Sequence, residues 1–178
     1  MIIPSPLSAP VAQWESIRLF DSCRSNQSII DEVIEILSSH FIGEITEQQV
    51  AIEFLKLGLM VSKPLVQSSR YDFIVDIKNH LYKIQVKTCS FKENAYIEFK
   101  TATSHTNTKT TKNLSYTSDE VDFFATYYDG QCYLLPFEIC GKRTQRLRLI
   151  PAKNGQKQGI IFAQDYKLKD VIENKIAF

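Results

Sequence analysis

Three polar residues have the types and the spacing that metal-assisted chemistry on a phosphodiester requires. Asp72 lies at the start of one predicted strand, and Gln85 and Lys87 follow 13 and 15 positions later on the next. Because side chains alternate between faces along a strand, Gln85 and Lys87 share one face. A carboxylate and an amide oxygen are hard ligands that suit Mg²⁺. Lys87 would orient or help to deprotonate the attacking water, or stabilise charge on the phosphate.

A short hairpin must hold these residues together. The run 71–77 is rich in β-branched and aromatic residues and predicts a strand, and the run 81–89 predicts a second one. Residues 78–80 supply the turn between them. Antiparallel pairing across this turn sets Asp72 near Gln85.

A helix upstream carries a fourth candidate, Glu47. Apolar residues recur at helical spacing over 46–57, and Gly58 is suited to end the helix. Thr46 and Gln49 are spaced as a capping box, which predicts a helix start there and puts Glu47 in the first turn. Since the helix dipole favours a carboxylate at that position, a plain capping glutamate is the alternative to a metal ligand.

Besides the helix with Glu47, the strings that carry a likeness to a known family are Val61-Ser62-Lys63-Pro64, Ser69-Arg70-Tyr71-Asp72, Gln85-Val86-Lys87-Thr88, Tyr116-Thr117 and Tyr133-Leu134-Leu135-Pro136. They resemble the PD-(D/E)XK nuclease superfamily, and within it the branch that contains a homing endonuclease encoded in a group I intron of a transfer RNA gene. The likeness covers about residues 41–166. Gln85 stands where most of the superfamily carries Asp or Glu, and the homing branch is similar in carrying glutamine.

The resemblance implies an α/β fold with a restriction-endonuclease-like core, in which helices flank a mixed central β-sheet. It implies a site-specific endonuclease that hydrolyses double-stranded DNA with Mg²⁺ and leaves a 5′ phosphate and a 3′ hydroxyl. Glu47, Asp72 and Gln85 would hold the metal, with Lys87 beside the nucleophile. A homotetramer on a long pseudo-palindromic site is the implied assembly. A Holliday junction resolvase, a restriction enzyme and a non-cleaving DNA-binding or splicing protein are the alternatives.

The net charge of +1 conceals blocks of like charge. Residues 78–112 carry seven lysines against two glutamates, 141–157 carry six basic residues and no acid, and 113–140 carry five acids and no Lys or Arg. Such sorting can give one face a positive potential, although solvated loops explain any single block equally well. The candidate DNA contacts are Ser69, Arg70, Lys109, Lys112, Arg143, Arg146 and Arg148.

The stretch 103–113 contains no apolar residue, which predicts a mobile loop. Its lysines could contact DNA, and a surface loop without a role in binding is an equal alternative. Residues 121–128 and 131–137 predict a hairpin across Asp129-Gly130. Asp119 and Asp122 are predicted to serve turns and caps rather than a metal. Further strands are predicted near 59–63, 95–101 and 145–150, and Arg143, Arg146 and Arg148 alternate in the last of them. Protection of a strand edge explains these arginines as well as DNA contact does.

The length of 178 residues and a hydrophobic content of 44% predict one domain over 28–178, opening with a helix over 28–38, after a poorly structured segment 1–27. No apolar run approaches the roughly 18 residues of a membrane span, and the first ten residues lack a signal-peptide pattern, which predicts a cytoplasmic protein. The four cysteines have neither a zinc-binding nor a disulfide spacing, so we expect ordinary thiols.

The N-terminal segment suggests where the gene lies. Residues 11–16, Val-Ala-Gln-Trp-Glu-Ser, result from translating GTA GCT CAG TGG GAG AGC, a string typical of the D-arm of transfer RNA genes. We therefore expect the reading frame to run in from a transfer RNA exon, with about the first 25 residues poorly structured or untranslated. Chance similarity over six residues is the alternative, and the codons of the gene decide between the two.

Overall fold

A computed structural model describes residues 39–66, 68–92, 95–107, 110–151 and 158–176, with the backbone alone at 39–40, 104–107 and 110–113. Backbone contacts divide the chain after His40, and nearly all described residues belong to the unit that begins at Phe41. The predicted N-terminal segment and the predicted helix over 28–38 lie outside the described residues, as does Lys109. Neither described helix is long and apolar enough to cross a membrane.

The described part of the chain contains two α-helices, ten strands and two short 3₁₀ helices, Phe137–Ile139 and Ala163–Tyr166. The helices are α1 (Ser39–Lys56) and α2 (Leu168–Asn174). The strands, in chain order, are β1 (Met60–Ser62), β2 (Phe73–Ile77), β3 (His80–Val86), β4 (Ser90–Lys92), β5 (Tyr96–Lys100), β6 (Ala102–Asn107), β7 (Thr110–Ser115), β8 (Phe123–Tyr128), β9 (Gln131–Pro136) and β10 (Thr144–Arg148).

The main sheet has five strands in the order β1-β2-β3-β8-β9. All neighbours in it are antiparallel except β3 and β8, which run parallel, so the predicted mixed sheet is confirmed. The predicted hairpin across Asp129-Gly130 is confirmed as well, with positive φ angles of 47° and 74° at the two turn residues. Such angles suit a tight hairpin turn.

Alternate residues of the central strands enter two separate cores, one on each face of this sheet. Phe123 and Ala125 of β8 lie in the core that contains buried residues of α1 and α2. Phe124, between them, lies in the other core, together with residues of β5 and β10. The helices therefore cover one face, and the second sheet, ordered β10-β5-β4, covers the other.

The prediction of a mobile loop at 103–113 was wrong, because β6 and β7 pair as an antiparallel hairpin there. Because residues 103–113 contain no apolar side chain, they cannot form a buried core. A two-stranded hairpin does not need a buried face, so this composition does not exclude strands. The segment contains five threonines, and this β-branched residue favours an extended backbone. Lys112 lies on β7 within this hairpin.

The start of α1 also differs from the prediction. The helix already includes Ser39, the first described residue, so Thr46 is interior and its hydroxyl donates to the Ile42 carbonyl at 2.8 Å, one turn earlier. A threonine inside a helix can form this hydrogen bond to the preceding turn. The capping-box spacing of Thr46 and Gln49 therefore predicted the helix start at the wrong residue. Glu47 consequently lies inside the helix, beyond its first turn. The predicted end is confirmed, since Gly58 has φ of 74° just beyond the helix.

Candidate active site

The hairpin of β2 and β3 brings Asp72 and Gln85 into contact. The Asp72 amide donates to the Ile84 carbonyl at 2.9 Å, which extends the strand pairing by one residue beyond β2. The Gln85 side-chain amide donates to Oδ2 of Asp72, and the Val86 amide donates to the same oxygen at 2.7 Å. Gln85 is buried although it is polar. Its side-chain NH₂ group donates both to the Asp72 carboxylate and to the Val86 carbonyl, the latter at 3.1 Å.

Burial raises the pKa of the Asp72 carboxyl to about 6. The Val86 hydrogen bond opposes this shift, the negative charge of Glu47 adds to it, and the cations of Lys87 and Lys63 oppose it. Two carboxyl groups that influence each other in this way lie close enough to repel when both are ionised. A cation between them would relieve that repulsion.

Glu47 reaches the site because α1 is held against the end of β3. Thr46, which precedes Glu47 on the helix, has its hydroxyl 3.2 Å from the hydroxyl of Thr88, which follows β3. The Glu47 carboxylate pairs with the Lys63 ammonium at 3.0 Å, and Glu44 is 3.7 Å from the same ammonium. Sequence reasoning had not assigned Lys63 a role. Its position directly after β1, within the Val61–Pro64 string of the family resemblance, was the sequence feature that could have indicated a place at the site.

Lys87 lies just beyond β3, where its amide donates to the Ala125 carbonyl of β8 at 2.9 Å. Its ammonium donates to the Tyr116 hydroxyl at 2.8 Å. Burial lowers the pKa of Lys87, and the positive charge of Arg70 adds to this, while the negative charges of Asp72 and Glu47 oppose it. Lys87 therefore loses its proton more readily than a solvent-exposed lysine does.

Arg70 is engaged by several groups of the chain itself. Its guanidinium pairs with Glu120 at 3.1 Å and donates to the Thr103 hydroxyl at 2.8 Å and the Ser115 carbonyl at 2.9 Å. It also lies 4.1 Å from the centroid of the Tyr116 ring. These contacts join the start of β2 to the base of the β6–β7 hairpin. A contact of Arg70 with DNA stays a prediction.

The other predicted DNA contacts are spread over the molecule. Ser69 adjoins Arg70 and donates its amide to the Val66 carbonyl at 3.2 Å. Arg146 and Arg148 lie on β10 in the second sheet, where Arg146 pairs with Glu98 at 2.6 Å. Arg143 is exposed and precedes the strand, so the predicted alternation holds for two of the three arginines.

The donor atoms at the site fit a hard divalent cation. Glu47 and Asp72 supply carboxylates, and Gln85 supplies an amide. Within the described ranges, no group of three or more His, Cys, Asp and Glu residues is placed to share a metal, so a site here depends on the Gln85 amide, backbone or water. Carboxylate and amide oxygens are ligands that Mg²⁺ accepts while it keeps several waters.

Asp122 links two strands of the main sheet, and the described cysteines are free thiols. Asp122 accepts the Lys83 amide of β3 at 2.7 Å and so ties β3 to the start of β8. Cys89, Cys132 and Cys140 are free thiols, and burial raises the pKa of each above its usual range. Thiols of this kind are poor nucleophiles and metal ligands.

A comparison with family models matches residues 37–169 to the model described as PD-(D/E)XK endonuclease. The chain belongs to the PD-(D/E)XK endonuclease family. A solved structure titled "The structure of a bacterial homing endonuclease: I-Ssp6803I" superimposes with a TM-score of 0.60 at 22% identity, over 79% of this chain and 100% of that one. At this identity the likeness shows the fold. A comparison with curated proteins found no match.

These matches confirm the family resemblance and the α/β fold that were predicted from the sequence. It implies a nuclease that hydrolyses DNA, and PD-(D/E)XK nucleases generally use divalent metal ions. Of the predicted motif residues in this PD-(D/E)XK endonuclease, Asp72 and Gln85 are in contact at one end of the β2–β3 pair, and the charges of Glu47 and Lys87 act on Asp72.

Proposed function

We propose that this PD-(D/E)XK endonuclease is a site-specific, Mg²⁺-dependent enzyme of the intron-homing type that cleaves double-stranded DNA. The observation that carries the proposal is the half-buried carboxyl of Asp72, which accepts a hydrogen bond from Gln85 and lies within electrostatic reach of both Glu47 and Lys87. Perturbed carboxyl and amino groups that meet in one place are typical of catalytic sites.

In this proposal Asp72, Glu47 and Gln85 hold the metal. When bound, Mg²⁺ supplies positive charge at the phosphate and promotes formation of the nucleophile from water. The Lys63 ammonium, 3.0 Å from Oε2 of Glu47, would compete with the metal for this carboxylate. The raised pKa of Asp72 means that the metal competes with a proton below about pH 6.

Lys87 acts on the water and on the phosphate. Its ammonium is fixed by the Tyr116 hydroxyl, and burial lowers its pKa, which makes it easier for Lys87 to give up a proton. A positioned group of this type aligns the water for in-line attack on phosphorus and stabilises the negative charge that develops. The P–O3′ bond breaks, which leaves a 5′ phosphate and a 3′ hydroxyl.

Three observations favour intron homing within the family. Gln85 occupies the position at which the homing branch carries glutamine, a bacterial homing endonuclease shares the fold, and residues 11–16 match the translation of a transfer RNA arm. We extend the proposal to a homotetramer on a long pseudo-palindromic site. The DNA contacts we propose are Ser69, Arg70, Lys109, Lys112, Arg143, Arg146 and Arg148.

The experiment compares three substrates in Mg²⁺: an intronless transfer RNA gene, the same gene interrupted by its intron, and a four-way DNA junction. We expect double-strand cleavage of the intronless gene at one site, with ends that DNA ligase rejoins. Preferential cleavage of the junction would instead indicate a resolvase. Binding without cleavage, indistinguishable from Asp72→Ala, would indicate a DNA-binding protein that does not cut.

A further inference from the structure

Tyr116 lies between two cations at the edge of the candidate site. It directly follows β7, and 6% of its surface is exposed. Its hydroxyl accepts a hydrogen bond from the Lys87 ammonium at 2.8 Å, and the same ammonium is 5.0 Å from its ring centroid. The Arg70 guanidinium lies 4.1 Å from that centroid.

From this geometry we infer that Tyr116 is the positioning residue for Lys87 in DNA hydrolysis. The inference rests on the proposed function of Lys87. A lysine side chain has many rotamers, and its ammonium is a point charge without a preferred direction. An acceptor at 2.8 Å selects one of those rotamers and directs the nitrogen to one place.

A tyrosine suits this task better than a carboxylate would. Burial raises the pKa of Tyr116 to about 12, so the phenol stays neutral over the working pH range of a nuclease. A neutral acceptor holds the ammonium without forming a full ion pair. Lys87 therefore remains available to interact with the water and the phosphate.

The ring of Tyr116 is itself fixed from more than one side. Phe124 meets it edge-on, with centroids 5.4 Å apart, from the core beneath. Arg70 covers the ring and is held by Glu120, at 3.1 Å, and by the Thr103 hydroxyl. Cation–π and edge-to-face contacts of this kind limit rotation of the ring, so the hydroxyl keeps its position.

Tyr116→Phe tests the inference because it deletes the acceptor and leaves the ring. We expect the single-turnover rate of DNA cleavage in Mg²⁺ to fall about tenfold to a hundredfold, since a small misplacement of a catalytic group costs this much. The Kd for DNA, measured with Ca²⁺ in place of Mg²⁺, should stay within about twofold because no DNA contact is lost. In the Lys87→Ala background, Tyr116→Phe should have no further effect.

Tyr82→Phe is the matched control. It removes a hydroxyl from β3 itself, on a ring that packs edge-on against Phe123 at 5.4 Å in the core beside the helices. We expect its cleavage rate to equal that of the wild-type protein. An equal fall of the rate in Tyr82→Phe, or an undiminished effect of Tyr116→Phe in the Lys87→Ala background, would overturn the inference.

A second readout does not depend on cleavage. The rate at which an amine-reactive reagent labels Lys87, followed by mass spectrometry, should rise several-fold in Tyr116→Phe and stay constant in Tyr82→Phe. Unchanged labelling together with normal cleavage overturns the role of Tyr116 and leaves the nuclease intact. Faster labelling in a protein that cleaves no DNA supports the hold on Lys87 and overturns the proposed function.

Discussion

Ionisation of Asp72 should destabilise the metal-free protein, and Asp72→Asn should remove that penalty. The pKa of Asp72 is about 6 in the fold against 3.8 for a free side chain, and at 1.36 kcal/mol per unit this corresponds to about 3 kcal/mol. The carboxyl is protonated in both the folded and the unfolded state below about pH 4, so nothing is lost there. Stability therefore falls as the pH rises from about 4 to about 6, and the full penalty is present above that range.

Asparagine keeps the shape and an oxygen that accepts the Val86 amide. We expect Asp72→Asn to raise the free energy of unfolding by about 2 to 3 kcal/mol at pH 8, or the Tm by about 5 to 10 °C, and to leave both unchanged at pH 4. The assay is urea unfolding followed by circular dichroism in EDTA across this pH range. Asp119→Asn, which alters an exposed carboxylate, is the control and should change stability by less than about 0.5 kcal/mol.

A lower stability of Asp72→Asn at pH 8, or a gain of the same size at every pH, would refute this reasoning. The first result would mean that the fold stabilises the charged carboxylate, and the second that ionisation plays no part. Mg²⁺ added at pH 8 should stabilise the wild-type protein and have no effect on Asp72→Asn, because the variant lacks the charge that the cation would neutralise.

Two further predictions concern neighbours of the site. Lys63→Met should raise the affinity for Mn²⁺, measured by calorimetry, about threefold to tenfold, because the Lys63 ammonium lies 3.0 Å from Glu47 and competes with the metal. The control is Lys56→Met, which breaks an ion pair with Glu53 of the same helix and should leave the affinity unchanged. Arg70→Met should lower the free energy of unfolding by about 1 to 3 kcal/mol, because it leaves Glu120 and the base of the β6–β7 hairpin without their partner. An affinity for Mn²⁺ that falls in Lys63→Met, or full stability of Arg70→Met in urea, would contradict these expectations.

The pairing of Asp72 with Gln85 was accessible from the sequence because it depends on local rules. Two short strands joined by a tight turn fix their own register, and the alternation of side chains then decides which residues share a face. The structure pairs Phe73 with Ile84, which is the register that sets Asp72 beside Gln85. The hairpin across Asp129-Gly130 was predictable for the same reason.

Contacts between distant segments were not accessible in this way. Lys63 meets Glu47 across 16 residues and Lys87 meets Tyr116 across 29, and no periodicity in the sequence specifies either approach. The β6–β7 hairpin was missed because its polar composition excludes a core without excluding a strand. The helix start was missed because Thr46 bonds backward to Ile42 instead of capping.

The central claim is that Asp72 and Lys87 form the catalytic centre of a metal-dependent DNA nuclease. The most direct measurement is the rate at which supercoiled plasmid carrying the target gene is nicked in Mg²⁺ by the wild-type protein, Asp72→Ala and Lys87→Ala. We predict nicking by the wild-type protein, its loss in EDTA, and rates at least about a hundredfold lower in both variants. Nicking at equal rates by all three proteins, or by none of them, would contradict the claim.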